Sequence, residues 1–154
     1  MGLTKIESPF QMMNHRVEKI SIDNKLISLQ NTSKGTINKI SIDEITIEDD
    51  FDGDDKFMGN ISLNIDVSCK NESKPKEKIT VKITLCGYFV GDKAVDGMDR
   101  ERFERMLYVN GTTSLYSIAR SIITTTTSQC LISGKVVLPM INVLEFLEDS
   151  RINE

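Results

Sequence analysis

The 154-residue chain predicts an α+β fold: a four-stranded antiparallel sheet with a long helix and a shorter C-terminal helix packed on one face. Three observations carry this expectation. Isoleucine is the commonest apolar residue, and the Cβ branching of Ile, Val and Thr favours pleated, half-buried surfaces. Apolar residues alternate with polar ones through the middle of the chain. After about residue 100 the apolar spacing changes to that of helices.

The strands are expected at roughly 15–29, 38–48, 57–70 and 78–90. In the first, Val17, Ile20 and Ile22 lead into Leu26, Ile27 and Leu29. In the second, Ile40 and Ile42 alternate, and Ile45 and Ile47 continue after a change of phase at Asp43–Glu44. Such a phase change predicts a bulge or a short turn. The third and fourth are the sharpest. Ile61, Leu63, Ile65, Val67 and Cys69 alternate with Ser62, Asn64, Asp66 and Ser68. Ile79, Val81, Ile83 and Leu85 alternate with Thr80, Lys82 and Thr84. The linker from Lys70 to Lys78 contains Pro75 and reads as the longer loop of a hairpin. One apolar and one wet face mark an antiparallel sheet, not the doubly covered parallel sheet of a nucleotide-binding fold.

A short helix is expected over Arg100–Tyr108, with Phe103, Met106 and Leu107 on one side. A long helix follows over Thr112–Gln129, capped by Thr113 or Ser114. Leu115, Ile118, Ala119, Ile122 and Thr126 form one stripe of it; Tyr116, Arg120, Ile123 and Thr127 form a second. Thr124–Thr127 opposes this helix, since four threonines cost about 2 kcal/mol relative to alanine. Packing must offset that, or the helix frays there. The last helix is expected over Asn142–Ser150, capped by Asn142, with Glu145 three residues on. Neither a repeat nor a domain boundary is visible, so residues 1–154 read as one domain.

Charge and composition narrow the function. Nineteen basic and 23 acidic side chains leave a net charge of −4, which gives no general field for nucleic acid. No apolar stretch approaches the roughly 18 residues of a membrane span, and the first residues lack a signal-like apolar core, so a cytoplasmic location is expected. Three widely spaced cysteines, Cys69, Cys86 and Cys130, argue against a disulfide framework, and with a single histidine, His15, no metal site is expected. A nucleophilic triad needs a base beside its nucleophile, and His15 reads as an exposed polar residue. Gly87–Gly91 lacks the lysine, hydroxyl and helix start of a phosphate loop. The acidic run Glu48, Asp49, Asp50, Asp52, Asp54 and Asp55 has neither the glycine nor the glutamate of a calcium loop. It reads as a solvated turn whose negative field could meet a basic partner. No catalytic residue and no cofactor are expected, which leaves a binding role.

The C-terminal third carries a more specific signal. Val109-Asn110-Gly111-Thr112-Thr113-Ser114-Leu115-Tyr116-Ser117-Ile118-Ala119-Arg120-Ser121-Ile122 is a small-residue turn before a long helix with an Ala-Arg pair near its middle. Leu138-Pro139-Met140-Ile141-Asn142-Val143-Leu144-Glu145-Phe146 leads into the last helix. Together they resemble the SecB family of bacterial export chaperones and its SecB-like relatives, whose second segment is of the type Leu-Pro-Pro-Ile-Asn-Phe. The resemblance covers roughly residues 10–148, with its specific motifs in 109–146. Met140 here replaces a proline, and Val143 replaces the usual aromatic.

The resemblance implies a homotetramer, a dimer of dimers, whose apolar grooves hold unfolded polypeptide without nucleotide or catalysis. The clients would be unfolded preproteins awaiting export, or a labile antitoxin protected by a dedicated chaperone. Leu115, Ile118, Ala119 and Ile122 are expected to pack on the sheet, leaving Tyr116, Arg120 and Ile123 for a subunit contact. Phe103, Leu107, Val137, Met140, Ile141 and Phe146 are the expected client-groove residues. Export members of the family deliver clients to the SecA motor, partly through an acidic sheet face and partly through a C-terminal tail. Only Arg151–Glu154 follow the last helix, at most roughly 14 Å of chain. At most a weak, salt-sensitive contact with the motor through the acidic turn is therefore expected. The alternative is a non-catalytic adaptor of the same fold that binds one folded partner.

Overall fold

The computed structural model describes residues 8–30, 32–49, 55–94 and 97–152. Strands β1 (Phe10–Asn24), β3 (Thr36–Glu48), β4 (Lys56–Asn71) and β5 (Lys74–Asp92) form one antiparallel sheet in the order β1-β5-β4-β3. Short strands β2 (Thr32–Lys34) and β6 (Lys135–Val137) form a separate parallel pair. Helices α1 (Arg100–Met106), α2 (Thr112–Cys130) and α3 (Val143–Ile152) complete the fold. The expected architecture is present, and the β2–β6 pair is an addition to it.

The sheet has the expected polarity. Ile61, Leu63, Ile65 and Val67 of β4 and Ile79, Val81, Ile83 and Leu85 of β5 are all buried. They stand in register, Leu63 opposite Leu85 and Ile65 opposite Ile83, so their side chains make one continuous apolar surface. Of the outward set, Ser62 is the exception, since it too is buried. The β3 ladder slips between Ile42 and Glu44, which places a bulge at Asp43 as the phase change predicted. The hairpin is tighter than expected, because β5 already begins at Lys74. Pro75 is tolerated there because the β1 ladder reaches only to Ile79, leaving that end of β5 without a β1 neighbour.

The first strand is shifted relative to the expected 15–29. The side chain of Asn24 accepts the Leu26 N–H at 2.9 Å and donates to the Cys130 carbonyl at 3.1 Å, which turns the chain out of the sheet. Leu26 and Leu29 are buried from the following loop, not from a strand.

α1 starts on Asp99, whose carboxylate accepts the Arg102 N–H at 2.8 Å. The expected turn before the long helix is absent. Leu107–Gly111 form a π turn that joins α1 to α2 in one helical run, so α2 has no free N-terminus and needs no cap. Thr113 instead donates to the Val109 carbonyl at 2.7 Å. The run packs closely because glycines lie beneath it. A Cβ at Gly91 would stand 2.5 Å from the Phe103 ring, and one at Gly59 would stand 2.7 Å from Leu107.

The threonine run does not fray, since α2 continues to Cys130. Thr124 donates to the Arg120 carbonyl and Thr127 to the Ile123 carbonyl, each at 2.8 Å. The Thr127 hydroxyl also accepts the buried Val136 N–H at 2.9 Å, fixing β6 to the helix. Thr127→Val is expected to strand that N–H and cost about 1–3 kcal/mol in chemical denaturation. Thr127→Ser should recover most of the loss, and equal losses in both variants would refute the hydroxyl's role.

Candidate functional site

From β6 onward the chain presents apolar groups outward. Gly134, in a left-handed conformation (φ 83°), turns the chain after α2 into β6. Period-two spacing then buries Val136 and Leu138 and leaves Val137 and Pro139 half-buried. Met140 follows with 79% of its surface exposed. Ile141 is half-buried against the core. Asn142 caps α3, its side chain accepting the Glu145 N–H at 3.3 Å. Leu147 anchors this helix, Phe146 is half-buried, and Leu144 is 59% exposed.

Two side chains of α2 hold the segment. The Tyr116 hydroxyl donates to the Pro139 carbonyl, and Arg120 Nη1 lies 3.1 Å from Met140 Sδ. Burial pushes the Tyr116 phenol above its ordinary range, opposed by the positive charge of Arg120. The folded chain therefore keeps this proton to higher pH than the unfolded chain, which releases it near about 10. The corresponding stability is complete below that pH and is lost as pH rises through the higher folded value. Cys69, also pushed up by burial, adds a decline of the same sign. Stability measured against alkaline pH should thus fall less steeply in Tyr116→Phe than in the wild-type chain.

The expected site residues separate into groups. Val137, Met140, Ile141 and Phe146 come together in the outward-facing segment and α3. Phe103 and Leu107 do not join them; both are wholly buried between helix and sheet. Phe103 stacks on Phe57 with ring centroids 5.3 Å apart and meets Phe10 at 5.7 Å. The stripe division of α2 also needs correction. Tyr116 and Ile123 are buried within the chain, while Ile118 and Ile122 are only half-buried. α2 lies on the sheet rotated from the expected facing, so Ile123, with no exposed surface, has none to offer a second subunit. Arg120 stays half-exposed, beside a shallow depression lined also by Ser117, Ser121, Thr124 and Thr125.

Of the acidic run, Glu48 ends β3, Asp49 pairs with Arg100 and Asp55 is exposed; Asp50, Asp52 and Asp54 lie outside the described residues. His15 is exposed on β1. Among the described residues no three His, Cys, Asp or Glu side chains converge as metal ligands. A cleft of about 1210 Å³ at one end of the sheet is mostly polar, lined by Ser28, Lys34, Lys70, Glu72 and Cys69 among others. Burial holds the Cys69 thiol protonated, which disfavours it as a nucleophile.

A second apolar surface escaped the sequence analysis. β1 is an edge strand, and Met12, Met13, Val17, Ile20 and Ile22 along it are 36–63% exposed. Val17, Ile20 and Ile22 stand opposite Leu85, Ile83 and Val81, so they extend the core face of the sheet. α2 lies over β4 and β5, and this extension is left partly uncovered. The Met12–Met13 pair was the available signal, since alternating apolar residues alone do not tell a covered strand from an edge. No described helix is long and apolar enough to cross a membrane.

No protein-family model and no curated protein matches the chain. Solved structures do. One is the Mycobacterium tuberculosis Rv1957 SecB-like chaperone in complex with a ChAD peptide from the Rv1956 HigA1 antitoxin. It aligns over 86% of this chain and 91% of its own with a TM-score of 0.51 and 14% identity. The likeness shows that the chain has the SecB-like α+β fold.

Proposed function

We propose that the chain is a non-catalytic holding chaperone of the cytoplasm, a single domain that keeps a non-native polypeptide on the apolar surface around Met140 and α3. The observation that carries this is the outward display of Met140 and Leu144 beside half-buried Val137, Ile141 and Phe146. Exposed apolar groups in a contiguous patch mark a binding surface, and the flexible thioether of methionine adapts to varied partners. The shared fold with a chaperone solved with an antitoxin peptide supports the same reading.

The favoured client is a dedicated, labile one of the antitoxin type. General export relies, in the family that the sequence resembles, partly on an acidic sheet face. Here the depression on the wet face is lined by Lys19, Lys39 and Lys82 as well as Asp43 and Asp66. Assembly as a homotetramer, a dimer of dimers, is supported by two surfaces. The β1 edge offers unpaired backbone and apolar side chains. The outer face of α2 carries the small hydroxyl residues Ser117, Ser121, Thr124 and Thr125 around Arg120, the helix's one charged residue, and lets a second helix approach closely.

Suppression of aggregation of an unfolded protein tests the function. The double variant Met140→Ser, Ile141→Ser should hold its client at least about tenfold more weakly, since burying each apolar side chain contributes about 1.5–3 kcal/mol. Its circular dichroism should be unchanged. A wild-type chain without holding activity refutes the function, and a double variant that holds equally well refutes the site.

A further inference from the structure

The inference concerns how the segment bearing Met140 is held, and it rests on the chaperone reading above. Tyr116 and Arg120 are four residues apart on α2 and so lie one above the other on its surface. They engage consecutive residues, Tyr116 the Pro139 carbonyl and Arg120 the Met140 sulfur at 3.1 Å. Pro139 has no N–H, so its carbonyl is the backbone group through which that residue can be tied. The next backbone tie upstream is the Gly35 N–H to the Val137 carbonyl at 2.9 Å, and downstream α3 begins at Val143. Between them the chain has no regular structure. Buried Leu138 and half-buried Ile141 hold it by packing, while Met140 has an unbranched and mostly exposed side chain.

We propose that Tyr116 and Arg120 are positioning residues for client binding. They latch the Pro139–Met140 peptide to the long helix and present Met140 and Ile141 in a fixed arrangement before a client arrives. A surface ordered in advance loses less conformational freedom on binding, so its affinity is higher with the same contacts. Neither residue needs to touch the client. The helical stripe pattern suggests a subunit contact for both; the latch gives the pair a different task.

The experiment uses the full chain and a permanently unfolded probe, a reduced and carboxymethylated protein. Tyr116→Phe removes one hydroxyl and keeps the ring in the core; Arg120→Ala removes the second tie and gives an independent reading if the first variant fails to fold. Probe affinity is titrated far below the melting temperature, and mobility of the Met140 methyl group is read by NMR. In at least one folded variant, affinity should fall about tenfold and the Met140 methyl should become more mobile. A purely structural role would lower the melting temperature without moving either readout. Unchanged affinity or an unchanged methyl signal in both variants overturns the positioning role, while wild-type holding leaves the chaperone reading standing. A wild-type chain that binds no unfolded probe overturns both.

Discussion

Phe103→Ala is expected to destabilise the fold by about 3–5 kcal/mol, the range for removing a buried aromatic side chain. Phe103 has no exposed surface and lies between Phe10 and Phe57. Its ring rests where Gly91 leaves the backbone bare. The aperture is rigid, because β4 and β5 pair there, Phe57 opposite Gly91 and Gly59 opposite Phe89. The neighbours therefore have little freedom to collapse into the space. Urea denaturation measures the loss, and a shift below about 1 kcal/mol would return Phe103 to the surface role that the sequence suggested. While the variant remains folded, its client affinity should match that of the wild type.

Ile123→Asp should abolish folding, where the sequence analysis would have it split an assembly. Ile123 is wholly buried in the core cluster beneath α2. The substitution removes an apolar side chain worth roughly 2–5 kcal/mol and introduces a carboxylate without a partner. Domains of this kind are stable by about 5–15 kcal/mol, so much of the reserve is consumed at one site. Circular dichroism and light scattering distinguish the outcomes. A helical, sheet-containing chain of reduced mass would show that Ile123 lies at a subunit contact after all.

These two residues show how far the sequence reaches. The alternation in β4 and β5 was legible because strand period two admits only two faces, and composition chooses between them. The Asp43 bulge and the Asn142 cap were legible because each is a local event with local chemistry. The facing of α2 was not. A helix with two semi-apolar stripes, Leu115–Ile118–Ala119–Ile122 and Tyr116–Arg120–Ile123–Thr127, can lie on a sheet either way by pattern alone. The choice depends on contacts that no local window contains, such as Thr127 accepting the Val136 N–H and Tyr116 meeting Pro139. β2 and β6 are three residues each and separated by a hundred positions, too short for any period to register. Leu26 and Leu29 imitated a strand because burial from a loop and burial from a sheet select the same residue types.

Of the candidate groove residues, Met140 is exposed and Val137, Ile141 and Phe146 are half-buried, while Phe103 and Leu107 have no exposed surface. Helical spacing put Phe103, Met106 and Leu107 on one side, and the question was only whether that side met the sheet or the solvent. The glycines at 59 and 91 were the missing evidence. Gly59 lies inside the expected third strand and Gly91 just past the fourth, and period-two alternation gives a glycine no weight, yet these are the places where the sheet admits large side chains from above.

The strand order also sets a timetable for the chain's own synthesis. β1 is made early, but its ladder partner β5 begins at Lys74, fifty positions after β1 ends at Asn24. At about 5–20 residues per second, ribosomal elongation leaves the edge strand waiting roughly 3–10 s for that partner. Throughout the wait the β1 strand that carries Met12, Met13, Val17, Ile20 and Ile22 lacks its β5 ladder neighbours. β4 and β5, by contrast, follow each other directly and can zip within microseconds of emergence. The hairpin therefore closes first and β1 docks onto it from a distance, so the nascent chain passes through the very condition, an unpaired apolar strand, that it is proposed to tolerate in others.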